Sequence, residues 1–104
     1  MCPYDKQIDE IVKLIKNRYH PVDVYLFGSC ARGMVTKHSD IDICLVADTD
    51  NKRKMAMDIQ LDINCDADVD VVIYTPNEWK KYKDDPSTFA HIIAKKGVSL
   101  VGRY

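Results

Sequence analysis

Three aspartates that stand in or beside strongly apolar segments are the residues of this sequence best suited to chemistry. Asp40 and Asp42 open the apolar run 40–46, and Asp70 lies near the start of the apolar run 69–74. Alternate residues of a strand point to the same face, so Asp40 and Asp42 share one face with their α-carbons about 6.5 to 7 Å apart. From that spacing, both carboxylates can reach one hard cation or span two metal ions about 3.5 to 4 Å apart.

Magnesium is the metal ion that this set of ligands favours. Ligands that are all oxygen select hard cations, and Mg²⁺ keeps coordination positions open for water and substrate phosphates. Asp70 would complete the set and could accept a proton from an acceptor hydroxyl. Asp68 is the alternative, because it would share a strand face with Asp70. We prefer Asp70, which sits deeper in the apolar run, whereas Asp68 falls in the turn that follows 65–67.

A tight turn precedes the aspartates by about ten residues. The apolar run 22–27 predicts a buried strand that leads directly into Gly28 and Ser29. A short helical turn beginning there would direct backbone N–H groups at an anion such as a triphosphate. Gly28 allows close approach of the backbone, Ser29 can donate to a phosphate oxygen, and Arg32 adds charge nearby. Two alternatives stay open: Ser29 could cap the following turn, and Arg32 could form a surface salt bridge.

Other motifs for phosphate and metal binding fail on inspection. The segment 28–33 lacks the Gly-Lys-Ser/Thr ending of a P-loop, and the chain has no G-x-G-x-x-G. The cysteines show neither a C-x-x-C pair nor a cluster with histidine, which argues against a zinc site and for reduced thiols: Cys2, Cys30, Cys44 and Cys65. An isolated pair of aspartates often only solvates a strand end, but its position behind the glycine-serine turn favours a functional pair.

The remaining pattern predicts an α+β fold: a small mixed β-sheet with helices packed mainly on one face. Helices are predicted over 5–18, 52–63 and 87–96, with another starting at 75–78, and strands over 22–27, 40–46 and 69–74, with an edge strand over 98–101. With 104 residues, of which 46% are hydrophobic, the chain can build one hydrophobic core. We therefore interpret 1–104 as a single domain.

Charge and hydropathy exclude several classes of function. The formal net charge is -1, so no general basic field exists to hold a polyanion, and direct binding of nucleic acid is disfavoured. No apolar run approaches the roughly 18 residues that a membrane span needs, and the N-terminus lacks the pattern of a signal peptide. A cytoplasmic protein with no membrane association is the expectation.

Taken together, the motifs resemble those of the minimal nucleotidyltransferases of the DNA polymerase β-like superfamily. The resemblance rests on Gly28-Ser29, ten intervening residues, Asp40-Ile41-Asp42 and the later Asp70, and the element order extends it over nearly the whole chain. It implies a polymerase β-like fold and magnesium-dependent nucleotidyl transfer from a triphosphate such as ATP, with two Mg²⁺ ions and pyrophosphate as the leaving group. It also implies that Asp40, Asp42 and Asp70 bind metal and that Asp70 is the base.

The resemblance further implies a partner protein. Minimal nucleotidyltransferases of this size resemble antitoxins paired with a helical HEPN-type toxin, and some of these antitoxins AMPylate a tyrosine of the toxin. The expected function is therefore transfer of AMP to such a partner, with a homo- or hetero-oligomer completing the acceptor pocket. Two other functions stay open: a non-catalytic antitoxin that neutralises its partner by complex formation, and a nucleotidyltransferase that acts on a small molecule.

Overall fold

The computed structural model describes residues 5–28, 41–63 and 68–100. Its helices and strands are α1 (Asp5–Tyr19), β1 (Asp23–Phe27), β2 (Ile41–Val46), α2 (Lys52–Asp62), β3 (Val69–Tyr74), α3 (Pro76–Tyr82), α4 (Phe89–Lys96) and β4 (Val98–Ser99). Each corresponds to an element that the sequence predicts, with shifts of one or two residues at most of the ends. Among the described residues, no helix is long and apolar enough to span a membrane.

The strands form one mixed sheet in the order β3-β2-β1-β4. β1 pairs antiparallel with both β2 and β4, whereas β2 and β3 run parallel. A parallel pair needs a crossover connection, and α2 lies in the chain between β2 and β3. This arrangement brings the last residue of β1 and the first residues of β2 and β3 to the same end of the sheet.

Helices cover both faces of the sheet. On one face, α1 and α2 pack on the inward side chains of the strands, and the buried cluster consists of Ile8, Ile11, Val12, Ile15, Val24, Leu26, Ile41, Ile43, Leu45, Ala47, Ile59, Ile73 and Leu100. On the other, α3 and α4 contribute to a smaller cluster of Cys44, Val46, Trp79, Ala90 and Ile93. The predicted α+β class with a small mixed sheet is confirmed. Cover on both faces, instead of mainly one, follows from the apolar and aromatic side chains that the strands also carry on the second face.

The apolar face of α2 is narrower than the sequence indicates. At helical spacing Met57 and Leu61 would widen this face, but they are 55% and 82% exposed. Ile59 is fully buried and carries the contact with the core. Because Met57 and Leu61 point away from the sheet, α2 contributes less to the core than its composition suggests.

Local capping fixes where α3 and α4 begin. The Thr75 hydroxyl accepts a hydrogen bond from the backbone N–H of Glu78 at 3.2 Å, and the Glu78 carboxylate accepts one from the backbone N–H of Thr75 at 3.0 Å. Thr88 caps α4 in the same way through the backbone N–H of His91. At the other end of α4, a side chain on Gly97 would lie 3.0 Å from the backbone oxygen of Leu26. The end of α4 therefore lies in close contact with β1, beside the end of the sheet that carries the aspartates.

Candidate active site

Phe27, Asp42 and Asp70 form a row across three neighbouring strands. Phe27 pairs with Asp42 between β1 and β2, and Asp42 pairs with Asp70 between β2 and β3. Paired residues of adjacent strands present their side chains on the same face, about 4.8 Å apart across the sheet. The two carboxylates of β2 and β3 are therefore direct neighbours at one end of the sheet.

Exposure is greatest at the β3 end of this row. Phe27 is half-buried and meets Phe89 of α4 edge to face, with ring centroids 5.5 Å apart. Asp42 is half-buried, and Asp70 is exposed. α4 thus covers the β1 end of the row, whereas Asp70 at the β3 end is exposed.

Gly28 lies against the Asp42 carboxylate. Its φ is +72°, in the left-handed region where glycine is favoured. A β-carbon placed on Gly28 would overlap the Oδ2 atom of Asp42 and lie 3.2 Å from its Cγ. Glycine is therefore needed at this position for two reasons: the backbone conformation and the close approach to a carboxylate.

For the nucleotidyl transfer that the sequence resemblance implies, we expect Gly28→Ala to lower the rate by about 10- to 100-fold. The methyl group would displace the Asp42 carboxylate, and a shift of about 1 Å in a positioned group can cost 100-fold in rate. The left-handed backbone would also cost roughly 1 to 2 kcal/mol of stability. Initial rates and thermal unfolding measured on the same samples separate the two effects.

A double variant tests whether Gly28→Ala acts through Asp42. When it is combined with Asp42→Asn, Gly28→Ala should add little further loss of rate, since both changes act on one carboxylate. An additive loss would contradict this mechanism.

The structure distinguishes the positions of Asp70 and Asp68. Asp70 is the second residue of β3 and is in register with Asp42. Asp68 precedes the strand, and its backbone oxygen accepts a hydrogen bond of 2.8 Å from the backbone N–H of Ile41. Both side chains are exposed. The register places Asp70, and not Asp68, directly beside Asp42.

Three residues of the predicted site lie outside the described part of the chain: Asp40, Ser29 and Arg32. Their predicted roles stay predictions. Within 5–28, 41–63 and 68–100, no group of three or more His, Cys, Asp or Glu side chains is placed to hold a metal ion. The two described carboxylates suit a hard divalent cation, because they supply oxygen donors from adjacent strands and one of them is open to water.

The face that carries Asp42 and Asp70 offers no thiolate nucleophile among its described residues. Cys44 follows Asp42 by two positions on β2, and burial, followed by the nearby charge of Asp23, raises the pKa of its thiol to about 12. The thiol therefore stays protonated near neutral pH. Burial also raises the pKa of the neighbouring Tyr25 hydroxyl. Among the described residues on this face, Asp42 and Asp70 are therefore the candidates for chemistry near neutral pH.

A cleft of about 250 Å³ opens beside Gly28, between the end of β1 and α4. It is lined by Phe27, Gly28, Phe89, Ile92, Ile93 and Lys96. This cleft cannot be recognised from the sequence alone, because apolar residues of α4 at helical spacing indicate a core-facing helix. The one signal for it in the sequence is the number of apolar side chains in α4, which exceeds what a single buried helix face requires.

Comparison with known proteins gives a consistent result. The family described as "Polymerase beta, Nucleotidyltransferase" matches residues 9–103 of this chain. The Methanocaldococcus jannaschii protein MJ0604, provisionally named a protein adenylyltransferase, is 46% identical over 48 residues. That match covers 44% of this chain and 48% of the relative, so the matched segment spans about half the length of the curated relative.

Solved structures share the fold. A Sulfolobus solfataricus protein provisionally named a nucleotidyltransferase is 25% identical with a TM-score of 0.60, over 91% of this chain and 77% of its own. A mutant of the toxin-antitoxin MntA-HpeT is 27% identical with a TM-score of 0.63, over 89% and 70%. A toxin-antitoxin solved with AMP-PNP is 22% identical with a TM-score of 0.61, over 91% and 70%, a likeness that shows the fold alone.

Proposed function

Because this chain belongs to the polymerase β-like nucleotidyltransferase family, we propose that it transfers AMP from ATP to a tyrosine hydroxyl of a partner toxin and so acts as an antitoxin. The observation that carries the proposal is the register of Asp42 beside Asp70, with Gly28 against the Asp42 carboxylate. Two adjacent carboxylates at an open sheet end, next to a glycine that permits close approach, suit the transfer of a phosphate-bearing group.

Each aspartate has a distinct part in the proposed reaction. Asp40 and Asp42 would hold Mg²⁺, with Asp70 as the third ligand. When bound, Mg²⁺ would neutralise charge on the phosphates and orient them. Asp70, the most exposed of the described carboxylates in the row, would accept the proton of the acceptor hydroxyl. The acceptor oxygen then forms a bond to the α-phosphorus as the bond to the β-phosphate oxygen breaks, and pyrophosphate leaves.

Gly28 and its neighbours would position the triphosphate. Gly28 keeps its backbone close to Asp42, so a phosphate held at this turn lies within reach of the carboxylates. Ser29 and Arg32 are proposed as further phosphate contacts, on the grounds of their place in the sequence motif. This arrangement orders the site from the triphosphate at the end of β1 to the acceptor at the start of β3.

The proposal of a toxin partner rests on two similarities. The curated relative is named for protein adenylyltransfer, and a structural neighbour at 27% identity is part of a toxin-antitoxin. We propose that the partner is a HEPN-type toxin and that the complex acts in the cytoplasm. An acceptor tyrosine would approach from the exposed side of the row, at Asp70.

The test is a transfer assay with the protein encoded beside this chain. Both proteins are incubated with Mg²⁺ and labelled ATP, and the intact mass of each is measured. We expect the neighbour to gain one or more AMP units, with no gain when EDTA replaces Mg²⁺. Transfer to a partner would be contradicted if the label were recovered only as free nucleotide, or if this chain were the only one of the two proteins to gain mass.

A second function is favoured by the same structural neighbour. As a non-catalytic antitoxin, this chain would neutralise its partner by binding alone, and the structural neighbour that is part of a toxin-antitoxin supports such a partner. Tight complex formation without any gain of mass, together with rescue of growth by a variant lacking all three aspartates, would favour this function over catalysis.

A further inference from the structure

The cleft between β1 and α4 is an apolar opening lined in part by Gly28, which lies against the Asp42 carboxylate. Its walls are the rings of Phe27 and Phe89, the side chains of Ile92 and Ile93, and the bare backbone of Gly28. Phe89 is 47% exposed and Ile92 is 50% exposed, although α4 is otherwise anchored in the core by Ala90 and Ile93. Two large apolar side chains therefore remain open to solvent at the edge of the proposed site.

The position of the cleft limits what it can bind. Gly28 lines the cleft and also lies against Asp42, so a ligand in the cleft is adjacent to the reacting centre. In the sheet order β3-β2-β1-β4, the cleft lies on the β1 side of Asp42 and Asp70 lies on the β3 side. An acceptor hydroxyl that donates its proton to Asp70 would lie on the β3 side, outside the cleft. The cleft is then free to bind a different part of the substrates.

The chemistry of the walls favours a flat apolar ring over a phosphate. Phosphate oxygens need several donors, but Lys96 is the single charged or polar side chain among the described residues that line the cleft. The edge-to-face contact of Phe27 and Phe89, at an interplanar angle of 83°, holds two aromatic side chains in the wall. All nucleobases can stack on such side chains, whatever their pattern of hydrogen-bond donors and acceptors, since every base has a π-face.

We infer that this cleft binds the base of the nucleoside triphosphate, with Phe89 and Ile92 as the main contacts. The inference rests on the proposed function and adds the subsite that holds the nucleoside. The base is the part of the substrate that is both aromatic and covalently tied to the phosphates at Gly28. A cleft of about 250 Å³ accommodates one ring system with part of the ribose.

Weak selection between bases follows from the same lining. Strong discrimination requires buried donors and acceptors that a wrong base would leave unpaired. Among the described lining residues only Lys96 offers a polar side chain, and it donates to acceptor atoms that adenine and guanine both present. The affinities for the α,β-methylene analogues of ATP and GTP should differ by less than about tenfold.

The test compares a whole nucleotide with its phosphate part. Calorimetric titration with Mg²⁺ and either α,β-methylene ATP or inorganic tripolyphosphate is carried out on the wild type, Phe89→Ala and Ile92→Ser. We expect the analogue to bind about 5- to 20-fold more weakly to Phe89→Ala, because this variant loses the stacking of the base on an aromatic side chain. Ile92→Ser should weaken binding by a similar factor, because it removes an apolar contact with the base. Affinity for tripolyphosphate should stay within twofold of the wild type.

A matched control comes from α2. Leu61 is 82% exposed and lies outside the cleft, so Leu61→Ser removes a similar apolar side chain without touching the proposed subsite. Leu61→Ser should change neither the affinity for α,β-methylene ATP nor the affinity for tripolyphosphate. Thermal unfolding of all variants checks the fold, and Ile92→Ser, at a half-exposed position, serves if Phe89→Ala unfolds.

The outcomes separate the two proposals. If the wild type binds the analogue and both cleft variants bind it equally well, the base lies elsewhere and the inference is overturned while the proposed function stands. An equal loss of affinity for tripolyphosphate would also overturn it, because the effect would then be a general disturbance of the site. If the wild type binds neither ligand and transfers no AMP, the proposed function fails and the inference fails with it.

Discussion

Asp42→Asn is expected to reduce AMP transfer by at least about 10³-fold. The amide has the shape of the carboxylate but lacks its charge, so it would bind a divalent cation far more weakly, and a thousandfold loss corresponds to about 4 kcal/mol of transition-state stabilisation. Asp42 lies between Phe27 and Asp70 in the row and against Gly28, so it is the described carboxylate at the centre of the proposed site. Initial rates from intact mass spectra measure the effect.

Asp48→Asn is the matched control for this substitution. Asp48 is exposed and follows β2 at the opposite end of the same strand, so the variant makes the same change of charge away from the site. It should retain transfer within twofold of the wild type. Circular dichroism should show both variants folded. Transfer by Asp42→Asn at more than about a tenth of the wild-type rate would contradict the role of Asp42 as a metal ligand.

Asp70→Asn is expected to lower transfer by at least about 10²-fold, whereas Asp68→Asn should lower it less than threefold. The difference follows from register, since Asp70 pairs with Asp42 and Asp68 precedes the strand. An asparagine at position 70 could neither accept a proton nor supply the charge of a metal ligand. The same assay measures both variants, and the two aspartates are each other's control because both are exposed.

A pH profile distinguishes a base from a ligand. If Asp70 accepts the acceptor proton, the residual rate of Asp70→Asn should rise with pH as more of the acceptor hydroxyl ionises, whereas the wild-type rate should depend on pH less steeply. Equal loss of activity in Asp70→Asn and Asp68→Asn would show that the register does not select the base.

Much of the fold could be predicted from the sequence because local signals agree with the tertiary structure. The apolar run of β3 matches the strand Val69–Tyr74, and the pattern at Thr75 and Glu78 forms the capping box that begins α3. Asp42 and Asp70 could be singled out because charges within apolar strands have no packing role. These are properties of short segments, which a sequence displays directly.

Features that depend on how elements meet could not be predicted. No local signal places β4 beside β1, fixes the parallel register of β2 and β3, or leaves Leu61 in solvent. The cleft is formed by the end of β1 and a helix about 60 residues later in the chain, roughly the distance from Phe27 to Phe89. Its residues looked like ordinary core residues, because helical periodicity does not reveal which apolar side chains another element will cover.

The register between β2 and β3 is coupled to the burial of a charge. Sliding β3 by one residue would turn the Asp70 carboxylate toward the buried cluster that contains Ile43 and Ile73, at a large cost in free energy. The cost of burying the Asp70 carboxylate therefore helps to keep Asp70 paired with Asp42. Substitutions on the outer surface of the helices should leave this register, and with it the adjacency of the two carboxylates, unchanged as long as the inward positions of the two strands stay apolar.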